Sequence, residues 1–233
     1  VYDLYDRLTT AFPQILFESC ASGGARFDPG MLYYAPQGWI SDDTDAAERV
    51  RIQYGTSMCY PISSMGSHVS VVPNHQLNRI TSLHTRANVA YFGTFGYELD
   101  LNKLTDEEIA EVKAQIIFMK EYRELIQFGN FYRLKSPFDG NETVWMTVSE
   151  DKRKALVFWY RERNVVNAEF TRVRLQGLDP DLIYKNEYNG TENYGDELMN
   201  LGLLTTDVTA GEPTNEDLPC TDYESRIYVL TAE

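Results

Sequence analysis

The stretch Trp39-Ile40-Ser41-Asp42-Asp43-Thr44-Asp45 decides how the first half of the chain is interpreted. A short apolar run leads into it, and a segment of helix-like composition, residues 45–54, follows. The pattern predicts a strand that gives way to a helix. In α/β barrels the loops that follow the strands converge on one functional face, so a polar cluster at this junction is a candidate site.

Three carboxylates fall within four residues of this stretch, at Asp42, Asp43 and Asp45. One interpretation is helix capping, since a side-chain oxygen in front of a helix accepts its free N–H groups and suits its dipole. The other is catalysis, because a carboxyl group that keeps its proton beside like charges can act as a general acid. Both interpretations stay open, and three acids allow the two roles to be divided.

Short apolar runs recur roughly every 20–30 residues around this stretch. They are Ile15–Phe17, Trp39–Ser41, Val69–Val72 and Val89–Phe95, with helical or loop segments between them. The alternation predicts βα units that build a parallel sheet or barrel. We therefore expect buried strands at these four runs.

Residues 105–128 form the clearest predicted helix. Thr105 and Glu108 have the spacing of a capping box, and Gly129 is placed as a C-terminal stop. After Gly129 the apolar period changes from about 3.6 to two, which is typical of antiparallel strands. The sequence predicts two domains, 1–129 and 130–233, the second an antiparallel sandwich or barrel-like module.

The charge balance excludes several partners. The chain has 233 residues, with 21 basic and 35 acidic side chains and a net charge of −14. A nucleic-acid site needs a basic footprint, and an anionic membrane surface attracts basic segments, so neither partner is expected. No run approaches the ~18 apolar residues of a membrane span.

Cysteine and histidine give no sign of a metal centre. The cysteines are few, odd in number and far apart: Cys20, Cys59 and Cys220. They predict no disulfide framework, and a reducing, cytoplasmic compartment is the simplest interpretation. The histidines, which lack the spacing of a helical zinc site, are His68, His75 and His84. We expect them in a pocket wall, with no metal or organic cofactor.

Two further features are candidates for ligand contact. The loop of small residues from Ser19 to Ala25 follows a predicted strand, and it is either a tight turn or a place where backbone approaches a ligand. Its Cys20 has no sequence-local partner that would activate it, so an inert buried thiol is the expectation. Trp39 is either core or a flat surface against which a sugar packs.

Several longer motifs, taken together, resemble glycoside hydrolase family 36, the bacterial α-galactosidases. The motifs are Phe17–Asp28, Gly30–Tyr34 and Gln37–Ala46, supported by Met65–Ser70, Pro73–Gln76, Phe92–Leu99 and Lys120–Gly129. The resemblance implies the second half of a TIM-type (β/α)8 barrel, strands five to eight, followed by an antiparallel β-sandwich. It also implies hydrolysis of terminal α-galactosides, such as melibiose or raffinose, with retention.

The resemblance also assigns site residues. Asp42 matches the family's general acid/base. Cys20, Ser22 and Gly23 match positions that contact the bound galactose, and Trp39 matches a residue that lines the same subsite.

This sequence departs from the family pattern at several positions, including Ile40 in place of Thr and Ala25 in place of Gly, and two further departures bear on the chemistry. Asp43 stands where the family usually has Asn, so the choice between Asp42 and Asp43 stays open. The family's nucleophile lies in a Lys-Trp-Asp motif, which this sequence lacks. We therefore expect a C-terminal fragment that carries the acid/base but no nucleophile, and that is inactive alone. Open strand edges of half a barrel predict a homo-oligomer.

Other functions remain open at this stage. One alternative is a related α-galactosyl transferase or an α-N-acetylgalactosaminidase, between which this sequence does not decide. A non-catalytic sugar-binding or assembly module would need no nucleophile at all.

Overall fold

The computed structural model describes residues 1–165, 170–205 and 222–232, so Cys220 lies outside the described residues. The chain forms two compact units, Val1–Glu121 and Tyr122–Glu233. Within the described ranges, no helix is both long enough and apolar enough to cross a bilayer.

The first unit alternates helices with short strands. In chain order its elements are α1 (Tyr2–Ala11), β1 (Glu18–Ser19), α2 (Pro29–Tyr34), β2 (Gln37–Gly38), α3 (Ala46–Ser57), β3 (Gly66–Ser70), α4 (Leu83–Ala90), β4 (Thr94–Glu98) and α5 (Asp106–Phe128). Helix α5 runs across the boundary between the units. At its start, Thr105 and Glu108 bond each other's backbone N–H groups, at 2.9 and 3.2 Å, which confirms the predicted capping box.

The strand pairs described in the first unit are parallel. β1 pairs with β2, β3 pairs with β4, and a parallel bridge joins Gly38 to Met65, which directly precedes β3. The strand ends therefore follow one another along the same edge, as the βα alternation predicts.

Two predicted strands are misplaced. Ile15–Phe17 forms no strand, and Ile15 and Leu16 are 49% and 86% exposed; the strand is Glu18–Ser19. Val89 lies in helix α4, and the strand predicted at Val89–Phe95 begins only at Thr94. A short apolar run cannot distinguish a buried helix end from a strand, and this ambiguity explains the second error.

Two other strands are shifted by a few residues. The strand predicted at Trp39–Ser41 is β2, which ends at Gly38. The strand predicted at Val69–Val72 is β3, which ends at Ser70 and leaves Val71 exposed. In the first case the shift matters for function, since it moves Trp39 from the strand into the segment that follows it.

The second unit is antiparallel. Its elements are β5 (Asn130–Lys135), β6 (Glu142–Val148), β7 (Lys154–Arg161), β8 (Arg172–Val173), β9 (Ile183–Asn186), β10 (Glu192–Tyr194), α6 (Gly195–Asn200), β11 (Leu203–Leu204) and β12 (Glu224–Ala232). Among its described residues, six strands form one sheet in the order β10-β9-β12-β7-β6-β5, and β8 pairs with β11. Residues from the sheet, from α6 and from the β8–β11 pair share one apolar core that includes Val144, Trp159, Val173, Leu198 and Leu203.

Candidate functional site

The three carboxylates between β2 and α3 have different surroundings. Asp45 is only 3% exposed and is the N-cap of α3, where its Oδ1 accepts from the backbone N–H of Ala47 at 3.0 Å and of Glu48 at 3.1 Å. Its carboxylate also forms an ion pair with Arg79. The capping interpretation therefore applies to Asp45, which stabilises the helix start through its hydrogen bonds and its charge.

Asp43 shapes the turn that leads to the helix. Its Oδ1 accepts from the backbone N–H of Asp45 at 3.0 Å, and its own N–H donates to Ser41 Oγ at 3.1 Å. Such local bonds from short polar side chains replace missing backbone partners in turns. The Asp43 carboxylate is therefore engaged and half-buried.

Asp42 differs from both neighbours. Its side chain is exposed, and within the described part of the chain its carboxylate forms no hydrogen bond or ion pair. Of the three acids, Asp42 is the one left available to a ligand. Its catalytic role stays a prediction, but the competing structural roles are filled by Asp43 and Asp45.

The small-residue loop after β1 packs directly against the Asp42 segment. Gly23 has φ +67°, and a Cβ there would lie 2.9 Å from Ser41 Cα and 3.0 Å from Asp42 N. A Cβ on Gly24 would lie 2.8 Å from the Ile40 carbonyl oxygen. The glycines are therefore required for a close approach of two backbones, and the structure brings Gly23 and Asp42 together.

Two other predicted ligand contacts lie in this loop. Cys20 and Ser22 are exposed, and Ser22 has φ +53°. The expectation that Cys20 is buried is therefore wrong, because Cys20 is exposed directly after β1, which ends at Ser19. An exposed thiol and hydroxyl beside the Gly23–Asp42 contact are free to meet a ligand.

Trp39 is half-buried between polar neighbours. The Arg49 guanidinium carbon lies 4.2 Å from its ring centroid, and the His68 ring centroid lies 4.6 Å away at an interplanar angle of 33°. These neighbours cover part of the indole, so contact with a ligand is limited to the ring surface that remains exposed.

The three histidines are dispersed. His68 Nδ1 lies 3.5 Å from Glu98 Oε2, His84 Nε2 is hydrogen-bonded to Asn88 at 2.9 Å, and His75 is exposed. Among residues 1–165, 170–205 and 222–232, no three His, Cys, Asp or Glu side chains are arranged to hold a metal ion.

Sequence reasoning missed the two arginines that organise this region. Arg49 is buried beneath Trp39, and Arg79 binds the helix cap. For Arg49 a signal was present, since it stands four residues after Asp45 and therefore on the same side of the helix start. For Arg79 the sequence holds none, because the contact spans 34 residues.

A separate cavity of about 520 Å³ lies in the second unit. Its charged lining residues include Lys135, Glu142 and Arg161. Lys135 is paired with Glu142, whose Oε1 accepts from Trp159 Nε1 at 3.0 Å, and Arg161 is paired with Glu224. These charged side chains are engaged in ion pairs with one another or with Glu224. The Asp42 carboxylate is exposed and available to a ligand, so we favour the Asp42 segment as the functional site despite the volume of this cavity.

Comparison with known proteins defines the class. Residues 1–129 match the family described as melibiase, and residues 142–230 match the glycosyl hydrolase family 36 C-terminal domain. The chain belongs to glycosyl hydrolase family 36.

The most similar relatives include α-galactosidase AgaA of Geobacillus stearothermophilus, 56% identical over 203 residues, and α-galactosidase 1 of Pediococcus pentosaceus, 50% identical over 203 residues. Each match covers 87% of this chain and 28% of the relative. A crystal structure of a doubly substituted variant of AgaA in complex with raffinose superimposes on all of this chain with a TM-score of 0.92 and 50% identity, and the match covers 31% of that chain. The chain thus spans less than a third of the proteins it matches.

Proposed function

We propose that this chain is the acid/base part of a retaining α-galactosidase, and that Asp42 is the general acid/base. The observation that carries the proposal is the Asp42 carboxylate beside Gly23, which is exposed and unpaired among the described residues, next to two acids that are engaged in the turn and the cap. Melibiase relatives at 50–56% identity support the activity.

The proposed architecture follows from the parallel pairings. Residues 1–129 would be the second half of a (β/α)8 barrel, with β1 to β4 as its fifth to eighth strands. Residues 130–233 would be a sandwich-type accessory domain. In a barrel of this kind the loops after the strands converge on one face, where Asp42 and the Cys20–Gly23 loop would meet the sugar.

The proposed chemistry divides between two carboxyl groups. Asp42, protonated, donates its proton to the departing glycosidic oxygen, and as a carboxylate it later takes a proton from the water that releases the sugar. Retention requires a second carboxylate about 5–5.5 Å away, which attacks the anomeric carbon. The family's Lys-Trp-Asp motif is absent here, since Trp39, Trp145 and Trp159 are followed by Ile, Met and Tyr. The nucleophile would therefore come from another segment.

Substrate, assembly and location are further proposals. Variants of one relative, AgaA, have been crystallised with raffinose and with stachyose, so we propose α-galactoside oligosaccharides as substrates, contacted by Cys20, Ser22, Gly23 and Trp39. No cofactor is needed for this chemistry. A homo-oligomer and a cytoplasmic location stay predictions.

The test uses a chimera in which residues 1–233 replace the matching part of the Geobacillus stearothermophilus enzyme. Raffinose has a poor leaving group that needs a proton, whereas an aryl galactoside with a very acidic phenol does not. We expect Asp42→Asn to lower kcat/KM for raffinose about 10²- to 10⁴-fold and to affect the activated substrate much less. Near-normal kinetics, an equal loss on both substrates, or a folded wild-type chimera without activity would contradict the proposal.

A simpler experiment concerns the chain itself. Because one of the two carboxylates is lacking, the isolated 233-residue chain should show no turnover of an aryl α-galactoside. Measurable hydrolysis that copurifies with the chain, and that Asp42→Asn removes, would contradict the need for an external nucleophile.

A further inference from the structure

Arg49 is a buried cation at the start of α3. Its side chain is 2% exposed, and its backbone N–H donates to the Asp45 carbonyl at 2.8 Å within the helix. A guanidinium that is removed from water needs acceptors in fixed positions, or its burial is unfavourable. Where those acceptors lie therefore shows what the residue holds in place.

The acceptors are backbone carbonyls of two adjacent segments. Arg49 Nη2 donates to the Ser41 carbonyl at 2.6 Å, and Nη1 donates to the Gly66 carbonyl at 3.3 Å. Ser41 follows β2 and Gly66 begins β3, so the planar guanidinium joins the segment after β2 to the start of β3. The Ser41 carbonyl belongs to the peptide group that leads into Asp42, and its orientation is thereby fixed.

The same guanidinium supports the ring of Trp39. Its central carbon lies 4.2 Å from the indole centroid, a distance typical of a cation–π contact. One side chain thus contacts Trp39 and the peptide group before Asp42.

Arg49 contacts the peptide group before Asp42 rather than the Asp42 carboxylate. In the described part of the chain it forms no ion pair with a carboxylate, because its fork is directed at carbonyls. Burial lowers its pKa to about 10, so it stays charged at neutral pH. The carboxylates that oppose this shift belong to Asp43, Glu98 and Asp42.

We infer that Arg49 is a positioning residue, which orients Asp42 through the Ser41 carbonyl. The inference rests on the proposed function of Asp42. It predicts that loss of the planar fork, even with the charge retained, misplaces the acid/base without removing the nucleophilic step.

The kinetic test compares Arg49→Lys with Arg51→Lys in the chimera. Arg51 lies on the same helix, is partly exposed, and approaches Glu48 at 3.9 Å, so it is a matched control. We expect Arg49→Lys to lower kcat/KM for raffinose about 10- to 100-fold and to leave the activated aryl galactoside within about threefold. Arg51→Lys should leave both unchanged. An equal loss on both substrates, which a general structural defect would give, would overturn the inference.

Asp42→Asn separates this inference from the proposed function. If Asp42→Asn lowers kcat/KM equally for raffinose and for the activated aryl galactoside, so that the loss does not depend on the leaving group, the proposed function fails. If Asp42→Asn shows it and Arg49→Lys does not, only the positioning role of Arg49 fails.

A second measurement needs no variant. In the unchanged 233-residue chain the Nη groups of Arg49 should give separate, slowly exchanging ¹⁵N signals, because the bonds to Ser41 and Gly66 hinder rotation. Averaged, fast-exchanging signals would overturn the inference even if Arg49→Lys did not fold.

Discussion

The two units use charged side chains in contrasting ways. In the second unit Glu142 and Arg161 are cross-strand partners, and both are engaged in ion pairs, with Lys135 and Glu224. Between β2 and α3 of the first unit, the neighbouring acids are engaged while Asp42 has no partner in the part of the chain that the structure describes. The difference shows why charge density alone does not mark a functional site: a closed network stabilises the fold, whereas an unpaired group held by its neighbours is available for chemistry.

The largest effect on stability should come from the contact between loops that supports Asp42. In the Gly23→Ala variant, alanine would have to adopt the positive φ of Gly23, and its Cβ would lie too close to Ser41. We therefore expect the free energy of unfolding to fall by about 3 kcal/mol. Gly55 in α3 has open space around it, and Gly55→Ala should stabilise the helix by up to about 1 kcal/mol. Urea unfolding followed by circular dichroism measures both. Equal effects would mean that the close approach is not required.

The next effect tests the closed network of the second unit. Glu142→Gln removes the charge that faces Lys135 and weakens the bonds from Trp159 and Thr171, so it should cost about 2 kcal/mol. Glu150, an exposed turn residue of the same unit, is the matched control, and Glu150→Gln should stay within about 0.5 kcal/mol. If both changes are neutral in urea unfolding, the network contributes no stability and the contrast with Asp42 is lost.

The smallest effects compare two acids of one segment. Asp45→Ala removes the cap of α3 and should cost about 1–2 kcal/mol. Asp42→Ala should change the unfolding free energy by less than about 0.5 kcal/mol, because its carboxylate supports nothing in the described structure. Thermal or urea unfolding of the 233-residue chain distinguishes them. A large destabilisation by Asp42→Ala would give Asp42 a structural role.

The sequence predicts what depends on local pattern. Helix α5 and its capping box, and the antiparallel second unit, follow from periodicity and cap chemistry over a few residues. Strand positions near Ile15 and Val89 were wrong, because burial of a short apolar run depends on partners far along the chain. The sequence marks the three acids as candidates, but it does not show which of them caps the helix. The structure shows that Asp45 is the cap, because it lies at the start of α3 and pairs with Arg79. The role of Arg49 follows only from the folded structure, which brings the carbonyls of Ser41 and Gly66 close enough to accept from one guanidinium.

The most direct test of the role of Asp42 is the product that its variant forms with azide. In the chimera, Asp42→Asn should still form the galactosyl-enzyme from an activated α-galactoside, but the base that activates water is removed. Azide needs no base, so it should restore turnover and displace the enzyme carboxylate with inversion, which gives galactosyl azide of the α configuration, as in the substrate. We predict rescue with the α product. A β-galactosyl azide would identify Asp42 as the nucleophile, and an absence of rescue would contradict its assignment as the acid/base.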